Sequence, residues 1–199
     1  MKKFAFLFVL ASAFFIDHAA QAQAQIALGV KGGLNFAQLD VENASLDNRT
    51  GYHAGAFLLF KLSKIGIQPE ILFSKQGSEL PSISPGLDLK ANFDYINIPV
   101  ILKIYTIAGL NIQVGPQFGF LTTAEVEDAA SNTLDVKDLY KTSDVSVALG
   151  LGWDLPFGLT VDARYNLGIS DIDDDASLNP TKNQVIQVAV GYKLIKFGK

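Results

Sequence analysis

The strongest constraint on this chain is a two-residue alternation of apolar and other side chains, which recurs in eight segments after residue 25. Successive side chains of a β-strand point to opposite faces, so a period of two indicates a strand with two unlike faces. No window of similar length has a helical period. The sequence therefore predicts an all-β domain of eight strands over residues 23–199. One of the clearest segments places Leu159, Val161, Ala163, Tyr165 and Leu167 on one face and Thr160, Asp162, Arg164, Asn166 and Gly168 on the other.

The connections between the segments alternate between long and short. The long connections are residues 37–50, 76–92, 123–141 and 171–182, and the short ones are residues 63–64, 106–108 and 156–158. In an up-and-down meander, this order puts every long connection at one end and every short turn at the other. That asymmetry and an even strand number are typical of outer-membrane barrels. The predicted fold is an eight-stranded antiparallel up-and-down transmembrane β-barrel.

Periodicity alone does not say which face of the strands points inward. In a soluble barrel of the lipocalin kind, the apolar face would line a ligand cavity. Lipid on the apolar face is favoured by the loop asymmetry, by the glycines on the polar face, and by aromatic residues near the turns, where amphipathic rings suit the lipid–water interface. The predicted aromatic girdle consists of Phe60, Tyr105, Trp153, Phe157 and Tyr192.

The amino terminus has the composition of an export signal. Two lysines, Lys2 and Lys3, precede thirteen residues (4–16) that carry no charge. A helix of that length spans about 20 Å, short of the roughly 30 Å core of a bilayer. Small residues follow, as a signal peptidase requires. We predict a signal peptide over residues 1–22, with cleavage after Ala22 or Ala24, and export to the outer membrane.

The overall composition excludes several classes of protein. The 14 Phe and 6 Tyr argue against intrinsic disorder. The absence of cysteine from the sequence removes disulfide scaffolds, thiolate metal sites and cysteine nucleophiles. A formal net charge of −4 argues against sequence-independent nucleic-acid binding, which needs a basic surface. We expect no cofactor.

Charged residues on the inward face form the most notable constellation. Counting along the strands places Lys31, Glu70 and Arg164 near mid-barrel, with Asp162 one layer away. The interior of an eight-stranded barrel is just wide enough for side chains to fill, and an unpaired buried charge is costly. We therefore predict that these four side chains pair across the lumen as a structural polar plug. A path for protons or ions is the alternative.

The sequence contains no complete catalytic or metal-binding motif. A nucleophile–base pair usually uses histidine, and beyond the signal peptide the one histidine is His53, which we expect to be an interfacial polar residue. The segment 171–175 (DIDDD) resembles a calcium loop, but Ala176 and Lys182 replace the glycine and glutamate of an EF-hand. We expect a solvated acidic loop; loose divalent-cation binding that bridges lipopolysaccharide phosphates is the alternative.

Four blocks of sequence occur in strand order: residues 30–35 (VKGGLN), 68–73 (QPEILF), 95–103 (YINIPVILK) and 115–119 (GPQFG). Together they resemble the outer-membrane β-barrel family of Bacteroidetes-type bacteria that is often labelled PorT-like. The resemblance covers essentially the whole mature chain, and it implies an eight-stranded outer-membrane barrel, a class mostly of unassigned function. PorT itself is tied to a protein-secretion apparatus, but the label covers many paralogues, and no residue here marks a secretion component.

These patterns favour a small Gram-negative outer-membrane protein with a structural or surface-interaction role and no enzymatic activity. The expected partners are outer-membrane lipid and lipopolysaccharide, the barrel-assembly machinery, and an unidentified surface or periplasmic protein. Nucleic acid is not expected. A narrow conduit for ions or small solutes and a PorT-like accessory of protein secretion are the two alternative functions.

Overall fold

The computed structural model describes residues 24–41, 44–45, 49–80, 89–127, 133–137, 142–169 and 182–198. These residues contain eight long strands and two short ones: β1 (Ala24–Val41), β2 (Ala44–Ser45), β3 (Arg49–Leu62), β4 (Ile65–Leu80), β5 (Leu89–Tyr105), β6 (Leu110–Glu127), β7 (Thr133–Asp135), β8 (Ser143–Asp154), β9 (Leu159–Gly168) and β10 (Lys182–Phe197). In this part of the chain, no helix is long and apolar enough to cross a membrane. The predicted signal peptide lies outside the described residues, apart from Ala24, and stays a prediction.

The eight long strands close into a barrel. Each pairs antiparallel with the long strands before and after it in the chain, and β10 pairs with β1 from Ile26↔Phe197 to Asp40↔Lys182. The short strand β2 pairs with the end of β1, and β7 pairs with the end of β6. Among the described residues, each long strand is thus paired on both sides over the body of the barrel, so the wall has no open edge there. The predicted eight-stranded antiparallel up-and-down barrel is confirmed.

The apolar face of the strands points outward. Along β4, Ile65, Ile67 and Ile71 are exposed, whereas Gln68 and Glu70 are buried in the interior. The same alternation runs around the wall. The outer surface is therefore apolar and the lumen polar, which excludes the lipocalin arrangement of the two faces.

All three short turns lie at one end of the barrel, as predicted. They connect β3 to β4, β5 to β6 and β8 to β9. Gly109 and Gly158 have φ angles of 85° and 102°, a left-handed backbone that suits glycine, and Ser63 has a φ of 55°. Chain reversal is thus completed in two to four residues.

At the other end, the strands extend further than predicted. The prediction of connections over residues 37–50, 76–92 and 123–141 is wrong in its boundaries, because β1 continues to Val41, β4 to Leu80 and β6 to Glu127, and β5 begins at Leu89. Beyond the apolar band, outward positions need not be apolar, and the β5–β6 hairpin packs through a buried apolar cluster around Phe93. Backbone pairing can therefore continue where the alternation that marks a strand in the sequence has stopped.

Candidate functional site

A network of charged and amide side chains, here named the central network, crosses the lumen. It consists of Lys31 on β1, Glu70 on β4, Gln113 on β6, and Asp162 and Arg164 on β9, all of which are buried. Each points inward because it occupies the non-apolar phase of its strand. The structure thus brings together the four residues that the sequence selected and adds Gln113.

Arg164 is the centre of this network. Its Nη1 and Nη2 atoms donate to Glu70 Oε2 and Oε1 at 2.9 and 2.6 Å. Its Nε atom donates to Gln113 Oε1 at 2.6 Å. A paired fork of this kind is among the stronger hydrogen-bonded ion pairs in proteins. Since β4 and β9 are four strands apart in either direction around the barrel, this pair spans the diameter.

The remaining contacts close the network into a ring. Lys31 Nζ lies 2.9 Å from Asp162 Oδ2 and 3.4 Å from Glu70 Oε2. Gln113 Nε2 donates to Asp162 Oδ1 at 2.6 Å. Both carboxylates therefore have at least two polar partners, which offsets the cost of burying them.

Two glycines on β8 make room for these long side chains. A Cβ atom at Gly150 would lie 2.8 Å from Arg164 Cγ, and one at Gly152 would lie 2.7 Å from Asp162 Oδ1. Such distances are too short for carbon contacts. The glycines of the polar face therefore let a narrow barrel enclose bulky charged groups.

A second cluster lies in the lumen beside the short turns, and sequence reasoning missed it. Asp154 accepts hydrogen bonds from Lys193 Nζ at 2.7 Å, Lys103 Nζ at 3.1 Å and the Tyr105 hydroxyl at 2.8 Å. Lys103 Nζ also lies 3.7 Å from Asp162 Oδ1 and so joins this cluster to the central network. The sequence did contain a signal for this cluster, because its residues alternate with the outward apolar positions of their strands.

Tyr105 is a correction to the predicted girdle, because its ring lies in the lumen and is only 5% exposed. Its phenol hydroxyl satisfies a buried carboxylate, which a position facing lipid would not allow. The other four predicted rings, Phe60, Trp153, Phe157 and Tyr192, are exposed on the outer surface near the turns. Trp153 also donates its indole N–H to the Ala108 carbonyl at 2.9 Å.

A neutral polar cluster occupies the lumen nearer the long connections. Asn35 Oδ1 lies 2.7 Å from His53 Nδ1 and accepts from Gln187 Nε2 at 3.0 Å, while Asn35 Nδ2 donates to Ser74 Oγ at 2.9 Å. The expectation that His53 is an interfacial residue is wrong, since it is 2% exposed. The inward phase of β3 places it among amides.

The charges buried in the lumen balance. Among the described residues, the buried cations are Lys31, Lys103, Arg164 and Lys193, and the buried anions are Glu70, Asp144, Asp154 and Asp162. These eight buried groups carry no net charge, and the half-buried Lys61, whose Nζ lies 4.0 Å from the centre of the Tyr105 ring, adds one cation beside the short turns. The arrangement therefore suits mutual pairing rather than selection of one sign of ion.

The described part of the chain contains no group of three or more histidine or carboxylate side chains that could hold a metal ion. The acidic segment 171–175 lies outside the described residues, so its predicted character stays a prediction.

Comparisons with known proteins agree with the geometry of the barrel. A family model described as "Outer membrane protein beta-barrel domain" matches residues 20–174. Among solved structures, the chain is similar to Neisserial surface protein A (NspA), with 13% identity, a TM-score of 0.58, and coverage of 84% of this chain and 97% of that chain. It is also similar to Ail, the attachment invasion locus protein of Yersinia pestis, solved with the heparin analogue sucrose octasulfate, with 16% identity, a TM-score of 0.50, and coverage of 88% and 99%. At these identities the likeness shows the fold. No curated protein matches the sequence.

Proposed function

Since the chain belongs to the outer membrane protein beta-barrel domain family, we propose that it is a closed structural or surface-interaction barrel of the outer membrane. Its location in the outer membrane follows from the family and agrees with the apolar outer surface. In such barrels the short turns face the periplasm and the longer connections face the cell exterior. The proposed role has two parts, a sealed lumen and an external surface.

The ion pair between Arg164 and Glu70 is the observation that supports a sealed lumen. Because it spans the barrel diameter, the two side chains occupy the space that a solute would need. Lys31 and Gln113 fill the width on either side of the pair. A conduit would require these contacts to break, and each broken contact would leave a charge or amide without its partner.

The external part of the proposal rests on the strand extensions and on charge. β4, β5 and β6 continue past the predicted boundaries, and β7 adds to β6. The segment between β9 and β10 (residues 169–181) contains four aspartates and no lysine or arginine. Four carboxylates disfavour sulfated saccharides such as the heparin analogue in the Ail structure, because like charges repel. We therefore propose a basic partner surface.

We also propose that the chain is PorT-like at the level of the barrel. The four blocks of the resemblance fall on β1, β4, β5 and β6, and three of them supply the buried ions Lys31, Glu70 and Lys103. Asp162 and Arg164 come from β9, outside the blocks. A secretion role is not part of this proposal, since no residue carries it.

Planar-bilayer recordings test the sealed lumen. The wild-type chain should show no steady single-channel conductance. A double variant with Glu70→Gly and Arg164→Gly, which removes the pair that spans the diameter, should conduct if it folds, and heat-dependent gel migration checks folding. Steady conductance of the wild type would refute the plug and favour the conduit.

We further propose that the chain is not an enzyme. The support is that His53 Nδ1 contacts the Asn35 amide rather than a hydroxyl nucleophile. Lipid A from a strain that lacks the gene should keep the wild-type acylation pattern. A changed pattern would indicate a lipid-modifying activity.

A further inference from the structure

The outer surface beside the short turns carries an apolar groove. Its volume is about 470 Å³, and Ala24, Gln25 and Lys61 contribute to its lining. Its apolar walls are formed by Ile26 of β1, Phe60 and Leu62 of β3, and Ile65 and Ile67 of β4. All five side chains are exposed on the outer wall. The groove therefore opens towards the membrane and not into the lumen.

A lysine, Lys64, lies on the turn next to the periplasmic end of this groove. Lys64 lies on the two-residue turn between Leu62 and Ile65, which both line the groove, and Lys64 is exposed. An apolar groove beside an exposed lysine matches an amphiphile with an anionic head and a hydrocarbon tail. A neutral tail alone would gain nothing from the lysine.

The end of the barrel that carries the short turns is predominantly positive. The turns and adjoining strand ends (residues 60–66, 103–111, 153–159 and 193–198) contain five lysines and a single carboxylate, Asp154. Asp154 is buried and already bonded to Lys103 and Lys193. The potential at the periplasmic surface is therefore positive, which attracts anionic lipid headgroups.

We propose that the groove binds one anionic phospholipid of the periplasmic leaflet. An acyl chain lies along Ile26, Phe60 and Ile67, and the headgroup phosphate pairs with Lys64. The groove lies on the apolar wall that faces the hydrocarbon, so the occupant meets it from within the bilayer. A phospholipid supplies both the tail for the apolar walls and the anionic group for Lys64.

Native mass spectrometry of the barrel, released from vesicles of equal phosphatidylglycerol and phosphatidylcholine, tests this site. The wild type should retain one phosphatidylglycerol in preference to phosphatidylcholine. Lys64→Gln should lower that preference about fivefold, the fold-change expected for one lysine at an anionic surface. Lys64→Arg should keep the preference. A matched control is Lys75→Gln, at the other end of β4, which should leave the preference unchanged.

A second variant tests the groove independently of charge. Ile67→Trp should fill the groove and reduce retention of both lipids, whereas Ile71→Trp, on the same face of β4 outside the groove, should not. Heat-dependent migration verifies folding of each variant. Equal retention of the two lipids by the wild type, or unchanged preference in Lys64→Gln, would overturn the proposal, as would equal retention by the two tryptophan variants.

Discussion

Replacing Arg164 by methionine should lower the free energy of unfolding by about 3–5 kcal/mol, the usual cost of removing one partner of a buried ion pair. Methionine keeps much of the apolar stem and removes the guanidinium. Glu70 then loses hydrogen bonds of 2.6 and 2.9 Å and keeps Gln68 Nε2 at 2.7 Å and Lys31 Nζ at 3.4 Å. Each hydrogen bond to a charged group contributes about 1.5–3 kcal/mol, which gives a sum in the same range.

An exposed ion pair provides the matched control. Lys75 Nζ lies 4.0 Å from Asp94 Oδ1, and the lysine side chain is 42% exposed. Solvent screens such a pair, so Lys75→Met should cost less than about 1 kcal/mol. The double variant Arg164→Met with Glu70→Gln should recover part of the loss, because it removes the carboxylate that the single variant leaves underpaired.

Urea unfolding in lipid vesicles, followed by tryptophan fluorescence, measures these differences. The chain has one tryptophan, Trp153, so the signal has one source. If Arg164→Met costs no more than Lys75→Met, the central network does not stabilise the barrel and the reasoning is refuted. Failure of Glu70→Gln to compensate would instead show that lost packing, not the lone carboxylate, sets the cost.

Three further predictions follow from the geometry. Gly152→Ala should cost about 1–3 kcal/mol in urea unfolding, because the added methyl overlaps the central network, whereas Gly32→Ala, whose Cβ would meet its nearest atom at 3.5 Å, should be close to neutral. Tyr105→Phe should cost about 1.5–3 kcal/mol through loss of a hydrogen bond to a buried carboxylate, and Tyr192→Phe, on the outer wall, should cost almost nothing; equal losses would contradict the inward placement of the first ring. Trp153 fluorescence should be quenched more by lipids brominated near the headgroup than near the chain end, and the reverse order would place it away from the interface.

The strand faces could be predicted from sequence because period two is a direct consequence of backbone geometry. Ile65, Ile67 and Ile71 lie outward for the same reason that Gln68 and Glu70 lie inward. The charged residues of the central network could also be predicted from sequence, since a narrow lumen forces inward charges to meet. Its partner Gln113 was not selected, because an amide carries no charge that demands a partner.

Tyr105 shows where one rule overrode another. The preference of aromatic rings for interfaces placed it outside, although Ile104 precedes it on the outward phase. The strand alternation determined the orientation of Tyr105, because an outward ring would have left Asp154 without its hydroxyl partner. The strand ends beyond the membrane could not be predicted, since pairing there depends on partner strands and leaves no alternation in the sequence.

The ion pair between Arg164 and Glu70 also constrains how the barrel assembles. β4 and β9 are not neighbours, so an incomplete sheet holds the guanidinium and the carboxylate apart. They meet only when curvature brings the opposite walls together and β10 reaches β1. Until that seam forms, Glu70 lacks the paired guanidinium contact that the closed barrel gives it. Half-assembled forms are thereby destabilised relative to the closed ring.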